Sequence, residues 1–592
     1  MNRCWAIVLC LISVILNSGF KARAQPSAES GVFDVVILNG RIIDGSGNPW
    51  YSGDVAIRGD RIVAIGKLDG APAKQLINAH GMVVAPGFID MLGQSEFPLL
   101  IDNRAISKLS QGITTEITGE GGSAAPQNAI TIKAAMPGLE PYHLKIDWTD
   151  LAGYFQRLEK QGTPINIGTY VGAAQVREAV IGDDNRAPTA QELEQMKALV
   201  KQAMEQGAFG VSTALIYPPG HYAKTDELIE LARVAAQYGG IYATHMRSEG
   251  KSEMAAIDEA LQIGREAHLP VEIFHLKVAG KNRWGTMPQV IAKLQAARDS
   301  GVDVTADMYP YLAGGTAIAS ALPPWVANGG TDKLLERLRD PAIRARIKKE
   351  MAEEHSDWEN LYLASGGPTG VMVASVVEPS LKPLTGKTIA EIAKQQNKDP
   401  LDALFDMVLA DKARSSGLYF IAGEDDLQYG LKQPWTSIGL DFNEMPLDGP
   451  LFEPHSHPRG FGSMPRFLGH YSRDLHLLPL EEAVRKITSQ PAQREHLRDR
   501  GLLREGYFAD ITVFDPSTII DKATYTEPTR LSEGVKYVFV NGKLEFADGK
   551  MTGVNAGRAL KGAGAKEAIR VQRFNKMEDR LRKRNPISRP GY

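Results

Sequence analysis

The chain has 592 residues and a formal net charge of −3, from 67 basic and 70 acidic groups, with 43% hydrophobic and 23% charged residues. That length exceeds one simple domain, and the composition is that of a globular enzyme rather than a disordered, collagen-like or disulfide-stapled chain. The near balance of charge gives no overall pull toward nucleic acid or an anionic membrane.

Met1-Asn2-Arg3 is a short basic start, and Cys4 to Leu16 is an apolar run too short for a comfortable membrane span. Ala22-Arg23-Ala24 then supplies a small-x-small pattern before Gln25. This reads as a signal peptide over residues 1–24, and the mature protein is expected to be exported, periplasmic or secreted. Removal takes Arg3, Lys21 and Arg23 and leaves 64 basic against 70 acidic groups. Cys4 and Cys10 leave too, so no disulfide framework and no thiolate metal ligand are expected. No later segment is apolar enough to span a bilayer, and the oligomeric state is open.

Two short β-rich stretches bracket a long alternating middle. Asp34 to Asn39, and Asp54 to Ile65 with Gly59-Asp60 at its centre, read as strands and a hairpin. Asp510 to Phe514, and Val535 to Phe546 with Asn541-Gly542 as the turn, read the same way. Neither stretch can bury a core alone, so residues 25–85 and 501–560 are expected to form one small β domain. Between them, Thr189 and Glu192 form a capping box that opens a helix ending near Gly207. Thr225 starts a helix that stops at Gly239-Gly240, and Ile241 to His245 follows as a strand. A helix from Ser252 stops before Pro270, Val271 to His275 is the next strand, and Pro288 to Ser300 leads to a strand from Val302 to Asp307. Strand and helix alternating at about 30 residues is the βα rhythm of a parallel sheet, and so many units favour a closed barrel over residues 86–500. An open doubly wound sheet is disfavoured because no Gly-rich phosphate loop follows a first strand. Residues 561–592, rich in Lys and Arg, read as a surface helix and a basic tail.

Catalytic groups in such a barrel sit at the carboxyl ends of strands. His245 closes IYATH and His275 closes VEIFH, one βα unit apart. Neighbouring strands lie about 4.8 Å apart, so the two imidazoles can share one metal ion. Asp441 ends a further candidate strand, Thr436 to Leu440, where a carboxylate can ligate or act as general base. Glu120 follows the β-like run Ile113 to Thr118 inside Gly119-Glu120-Gly121-Gly122, whose glycines permit close backbone approach. Either Glu120 or Glu116 can face the metal. The pair Glu424-Asp425 reads as a solvated loop, and His455 and His457 as positioning groups beside Arg459.

PGFID at Pro86–Asp90, QGITTEITGEGGSAAP at Gln111–Pro126, LIYPPGHYA at Leu215–Ala223, and the runs YATHMRSE, FHLKVAG, DMYPYLAGGT and PHSHPRGFGSMPRFLG resemble the amidohydrolase superfamily. Within it, the sequence is similar to the N-acyl-D-amino-acid deacylase branch from about residue 34 to about residue 560. The resemblance implies a TIM-like (β/α)8 barrel with a small β-sandwich domain built from both chain ends. It also implies hydrolysis of the amide bond of an N-acyl amino acid, a small-molecule substrate of D configuration. Two departures stand out. Where the superfamily places a His-x-His pair after PGFID-x, this chain has Leu92-Gly93-Gln94, and the branch's loop cysteine is absent from Gly119-Glu120-Gly121-Gly122. The resemblance then implies His245, His275 and Glu120 around one Zn2+ per chain, with Asp441 as the catalytic acid–base. It implies Lys277, Arg459, Tyr309 and Tyr217 as substrate-binding residues, Arg459 clamping the α-carboxylate. Gly315 stands where the branch often has serine. A dipeptidase or cyclic-amide hydrolase on the same barrel is the rival enzyme reading. A non-catalytic binding protein that has lost its metal chemistry is the rival from another class.

Overall fold

The structure is a computed structural model describing residues 31–565. The expected signal segment 1–24, with both cysteines, and the tail from 566 lie outside the described residues. No helix among the described residues is long and apolar enough to cross a membrane.

Eight parallel strands follow one another around a barrel: Phe88–Asp90, Ile113–Thr118, Asn166–Thr169 continued by Val171–Gly172, Gly210–Ala214, Ile241–His245, Val271–Ile273, Val304–Met308 and Thr436–Ile438. The barrel closes where the first strand meets the eighth: Met91 N–H donates to Ile438 O at 3.3 Å and Asp441 N–H to Leu92 O at 2.7 Å. Helices on the outside follow the local signals. Ala190–Gln206 opens on the Thr189/Glu192 capping box and ends at Gly207, whose φ of 118° only glycine tolerates easily. Thr225–Gln237, Glu253–Ala267 and Met287–Asp299 follow, each turning an apolar face to the strands.

Two expected strands end earlier than their apolar runs suggest. The sixth stops at Ile273 and the eighth at Ile438, and His275 and Asp441 then adopt φ of 37° and 54°. Past each strand end the N–H finds its acceptor on the neighbouring barrel unit. His275 N–H donates to Asp307 Oδ1 at 2.9 Å, and Asp441 N–H to Leu92 O. The left-handed turns lift both side chains off the barrel rim into the space above it, a conformation retained only where the surroundings enforce it.

Both chain ends build one nine-stranded sheet. Val83–Pro86 from the N-terminal part pairs antiparallel with Ile511–Phe514 from the C-terminal part, Val84 opposite Val513. Phe33–Ile42 pairs with Ala73–Asn78 along its first half and with Val83–Pro86 at its end. That branch lets both parts share a core of Val35, Ile37, Val55, Ile57, Ile511, Val513 and Phe539. Asn541 and Gly542 turn the last long hairpin with φ of 48° and 77°, the positive pair that an Asn-Gly turn supplies.

Between the seventh and eighth barrel strands the chain adds a further layer. Ala313–Ala317, Val371–Ser375 and Ser416–Phe420 form an antiparallel sheet with Ser416–Phe420 in the middle. It packs on its own core, including Leu338, Ile347, Val371, Val373, Leu404 and Phe405. Glu424 and Asp425 are not a solvated loop: they are the first turn of the helix Glu424–Leu431, where acidic groups meet the positive end of the helix dipole. The expected surface tail also begins differently. Gly562 N–H bonds to Gly207 O at 2.9 Å, and Gly562, Gly564 and Ala565 are buried.

Candidate active site

Three side chains meet above the carboxyl ends of the second, fifth and sixth strands. Glu120 Oε1 lies 2.9 Å from His245 Nδ1 and 3.1 Å from His275 Nε2, and the two ring nitrogens are 2.9 Å apart. Glu120 reaches this point because its loop passes flush against neighbouring backbone. A Cβ on Gly119 would sit 2.8 Å from Tyr170 O, and one on Gly121 2.6 Å from Ala214 N, at φ of 97° and 68°. Glu116 points elsewhere: it accepts from Ser95 N–H at 3.0 Å and Ser95 Oγ at 2.9 Å, with Lys108 beside it. Of the two carboxylates, Glu120 is the one beside the two histidines.

The donor set fits a metal cation. One carboxylate oxygen and two imidazole nitrogens converge from separate strand ends, an arrangement that could hold a metal ion. The electrostatics ask for positive charge at the same spot. Burial and Lys277 oppose protonation of His275, yet Glu249 and Glu120 outweigh them and push its pKa well above the usual range. Burial likewise works against the Glu120 carboxylate, but hydrogen bonds from His245 and His275 hold its pKa well below normal. Burial lowers His245, with the charge of His275 adding to the effect. A cation at this point, proton or metal, compensates the buried Glu120 carboxylate.

A second ring of groups orients the first. Glu249 Oε1 is 2.8 Å from His275 Nδ1 and accepts from Lys277 Nζ at 2.6 Å, which fixes the ring with Nε2 toward Glu120. Lys277 Nζ also lies 2.8 Å from His275 Nδ1. Gln94 spans two carboxylates, its Nε2 donating to Glu120 Oε2 and to Asp441 Oδ1, both at 2.9 Å. Burial raises the Asp441 pKa to about 6, against the pull of the Arg459 charge. Arg459 Nη1 lies 2.7 Å from Asp441 Oδ2 but off the hydrogen-bond axis, and its Nε is unpartnered. Arg459 is fixed from behind: its N–H donates to His457 Nδ1 at 3.0 Å, while His457 Nε2–H donates to Ala313 O at 2.8 Å. Burial, with Arg459 nearby, keeps His457 neutral by lowering its pKa well below normal. His457 therefore positions Arg459.

A cavity of about 440 Å³ opens onto this centre. Gln94, Glu120, Tyr217, Asp441, His457 and Arg459 form its floor, and Gly315, Thr316, Ser375 and Ser416 of the added layer form a wall. Tyr217 packs its ring edge-on to His245 at 5.2 Å. Tyr309 and Lys277 border a smaller void behind His275. The Arg459 guanidinium carbon is 4.7 Å from the Tyr309 ring centre and Lys277 Nζ 5.4 Å from it. His221 stands apart from this cavity, with Nδ1 3.1 Å from Leu215 O. The eight residues singled out in the sequence thus assemble at one place. Sequence reasoning did not single out Glu249, four residues past His245, or the wall residues Thr316, Ser375 and Ser416. No spacing rule marks any of them.

A family model described as the amidohydrolase family matches residues 75–546. The chain is 36% identical to a D-aminoacylase of Alcaligenes xylosoxydans xylosoxydans over 534 residues, covering 90% of this chain and 98% of that protein. It superposes on a crystal structure of N-acyl-D-glutamate deacylase from Bordetella bronchiseptica, complexed with zinc and a phosphonate mimic of the tetrahedral intermediate. That match has a TM-score of 0.75, 32% identity, and coverage of 90% and 100% of the two chains. A D-aminoacylase structure concerned with a binuclear metal center, with one-metal activation and second-metal attenuation, matches at TM-score 0.74 and 34% identity. Its match covers 89% of this chain and all of that one. The chain belongs to the amidohydrolase family, in the branch of the D-aminoacylases and N-acyl-D-amino-acid deacylases.

Proposed function

We propose that the protein hydrolyses the amide bond of N-acyl-D-amino acids, releasing a carboxylic acid and the free D-amino acid. The observation that carries this reading is the convergence of Glu120, His245 and His275 beside Asp441 and a partly unpaired Arg459 on one cavity floor. Glu120, His245 and His275 would hold one zinc ion. When bound, zinc supplies Lewis acidity, polarising the acyl carbonyl and acidifying water. The rest of the chemistry belongs to the chain. An Asp441 carboxylate oxygen takes the proton of the attacking water as the new C–O bond forms, then passes it to the nitrogen as the C–N bond breaks. Arg459, whose Nε and Nη1 lack hydrogen-bond partners, offers its guanidinium charge and these N–H donors to the substrate α-carboxylate. Tyr217 borders the same floor beside His245, and Glu249 holds His275 in orientation. Lys277, anchored by Glu249, and Tyr309 set the back wall.

The single-ion count rests on Gln94. Its amide group already bridges the two carboxylates, Glu120 and Asp441, that would otherwise call for a second cation between them. The binding-protein alternative leaves the assembled acid–base group and cation cluster without a use. Paired N-acetyl-D- and N-acetyl-L-amino acids, assayed by release of free amine from zinc-loaded protein, test the activity. Turnover of the D series is expected, and turnover confined to dipeptides or hydantoins would overturn it. We also propose export after cleavage near Ala24, resting on the apolar N-terminal run. Cell fractionation with N-terminal sequencing of the mature chain tests it, and an intact Met1 in the cytosolic fraction would contradict it.

A further inference from the structure

The cavity wall carries few charges, and their signs are uneven. Among its lining residues Arg459 is the one cation, against Glu120, Asp441 and Glu453. On the reading above, Arg459 is engaged by the α-carboxylate, and Glu120 and Asp441 belong to the reaction centre. Glu453 is left facing the remaining space, with Ser375, Ser416, Thr316 and Ser456 around the same cavity. Its cationic neighbour is Lys382, 3.8 Å away, but that lysine is half exposed, so solvent weakens the pair and leaves the carboxylate open to a substrate group. Lys277 cannot serve a substrate side chain, because Glu249 holds it 2.6 Å away behind His275. Ser375 and Ser416 bond to each other at 2.7 Å and offer small hydroxyl groups without charge.

From this distribution we infer that the side-chain subsite is built around Glu453 and takes N-acyl-D-amino acids whose side chains carry a positive charge or a hydrogen-bond donor, while rejecting acidic ones. The inference rests on the deacylase reading of the same site. An acidic side chain in this cavity would meet a like charge, with no lining cation beyond Arg459 to offset it, a cost that specificity commonly exploits. A lysine-like or amide side chain would meet an acceptor instead. The segment after the eighth barrel strand, with the added layer's hydroxyl groups on the same cavity, is thereby the part of the molecule that reads the substrate, while the barrel supplies the chemistry.

The test compares kcat/KM for N-acetyl-D-lysine, N-acetyl-D-glutamine and N-acetyl-D-glutamate with zinc-loaded wild type, Glu453→Gln and Glu453→Lys. The expected order is lysine above glutamine above glutamate, with glutamate at least about tenfold below glutamine. Glu453→Gln should narrow the lysine-to-glutamate ratio by about tenfold, and Glu453→Lys should reverse it. Glutamate turned over as well as glutamine by wild type, or a ratio unmoved by Glu453→Gln, would overturn the inference. Calorimetric binding of free D-lysine and D-glutamate to the same three proteins reads the subsite without turnover. No hydrolysis of any substrate, with a binding preference for D-lysine that Glu453→Gln abolishes, would sink the deacylase reading and leave the subsite standing. Equal binding of both amino acids to wild type would sink the subsite itself.

Discussion

At the carboxyl ends of the barrel strands Glu120, His245 and His275 turn their donor atoms toward one point. At the amino ends Glu272, Arg494 and Asp303 turn theirs toward one another. Both ends bury several ionisable groups and both enclose space, about 440 Å³ above and about 290 Å³ below. At the lower end the charged groups pair mainly with one another. Arg494 Nη2 lies 2.8 Å from Asp303 and its Nε 3.4 Å from Glu272, which also accepts from Thr305, while Tyr170 donates to Glu495. Burial pushes Glu272 up to about 7 and Glu495 up to about 8, so these carboxyls approach neutrality instead of demanding a cation. At the upper end one carboxylate and two imidazoles from three strand ends aim at a single point, and the cluster keeps its carboxylate ionised. Buried charge alone therefore does not locate a candidate site; ligand atoms from several strand ends that converge on one point of a cavity do.

The sharpest way to break this comparison is to remove one converging donor. His275→Ala should abolish stoichiometric zinc binding and lower turnover by on the order of a thousandfold or more, measured by elemental analysis and amine release. Asp441→Asn should cost about a thousandfold in kcat while zinc remains bound, the outcome that the proposed proton-transfer role of this group requires. Loss of zinc in that variant would recast Asp441 as a ligand.

The pH profile tests the same residue more gently. Burial raises Asp441 to about 6, so its carboxylate is lost on acidification and kcat/KM should fall below about pH 6. The Arg459 charge opposes that rise, so Arg459→Gln should move the acid limb to higher pH, besides raising KM for carboxylate-bearing substrates. A limb that stays put would separate the two groups. Glu249→Gln weakens the acceptor behind His275 and should reduce zinc affinity by about ten- to a hundredfold, read by competition with a chelating dye. At the lower end the expectation is opposite in kind. Arg494→Gln should lower stability by about 3 kcal/mol in a denaturant titration, by stranding buried carboxyls, with kcat/KM unchanged within twofold. A large loss of turnover there would blur the distinction between the two ends.

Much of this architecture could be read from residue patterns, for identifiable reasons. The capping box at Thr189 and Glu192, the Asn541-Gly542 turn and the strand Ile241–His245 are local signals that tertiary contacts reinforce. The sequence places His275 and Asp441 at strand ends, but both strands stop short of the ends of the apolar runs that lead to them. Their left-handed backbone depends on acceptors at Asp307 and Leu92, which lie far away in sequence. The antiparallel layer between the seventh and eighth barrel strands escaped notice because its strands, at 313–317, 371–375 and 416–420, pair across long intervals of helix. Glu249 escaped because an acidic residue four positions past a strand-end histidine is ordinary in sequence, and only the fold turns it back onto His275.

The most direct measurement is zinc content per chain, titrated against hydrolysis of an N-acetyl-D-amino acid on the same sample. The account predicts that activity saturates at about one ion per chain, and that Glu120→Ala loses both the ion and the activity. Full turnover in metal-free protein, or activity that saturates only at two ions, would contradict it.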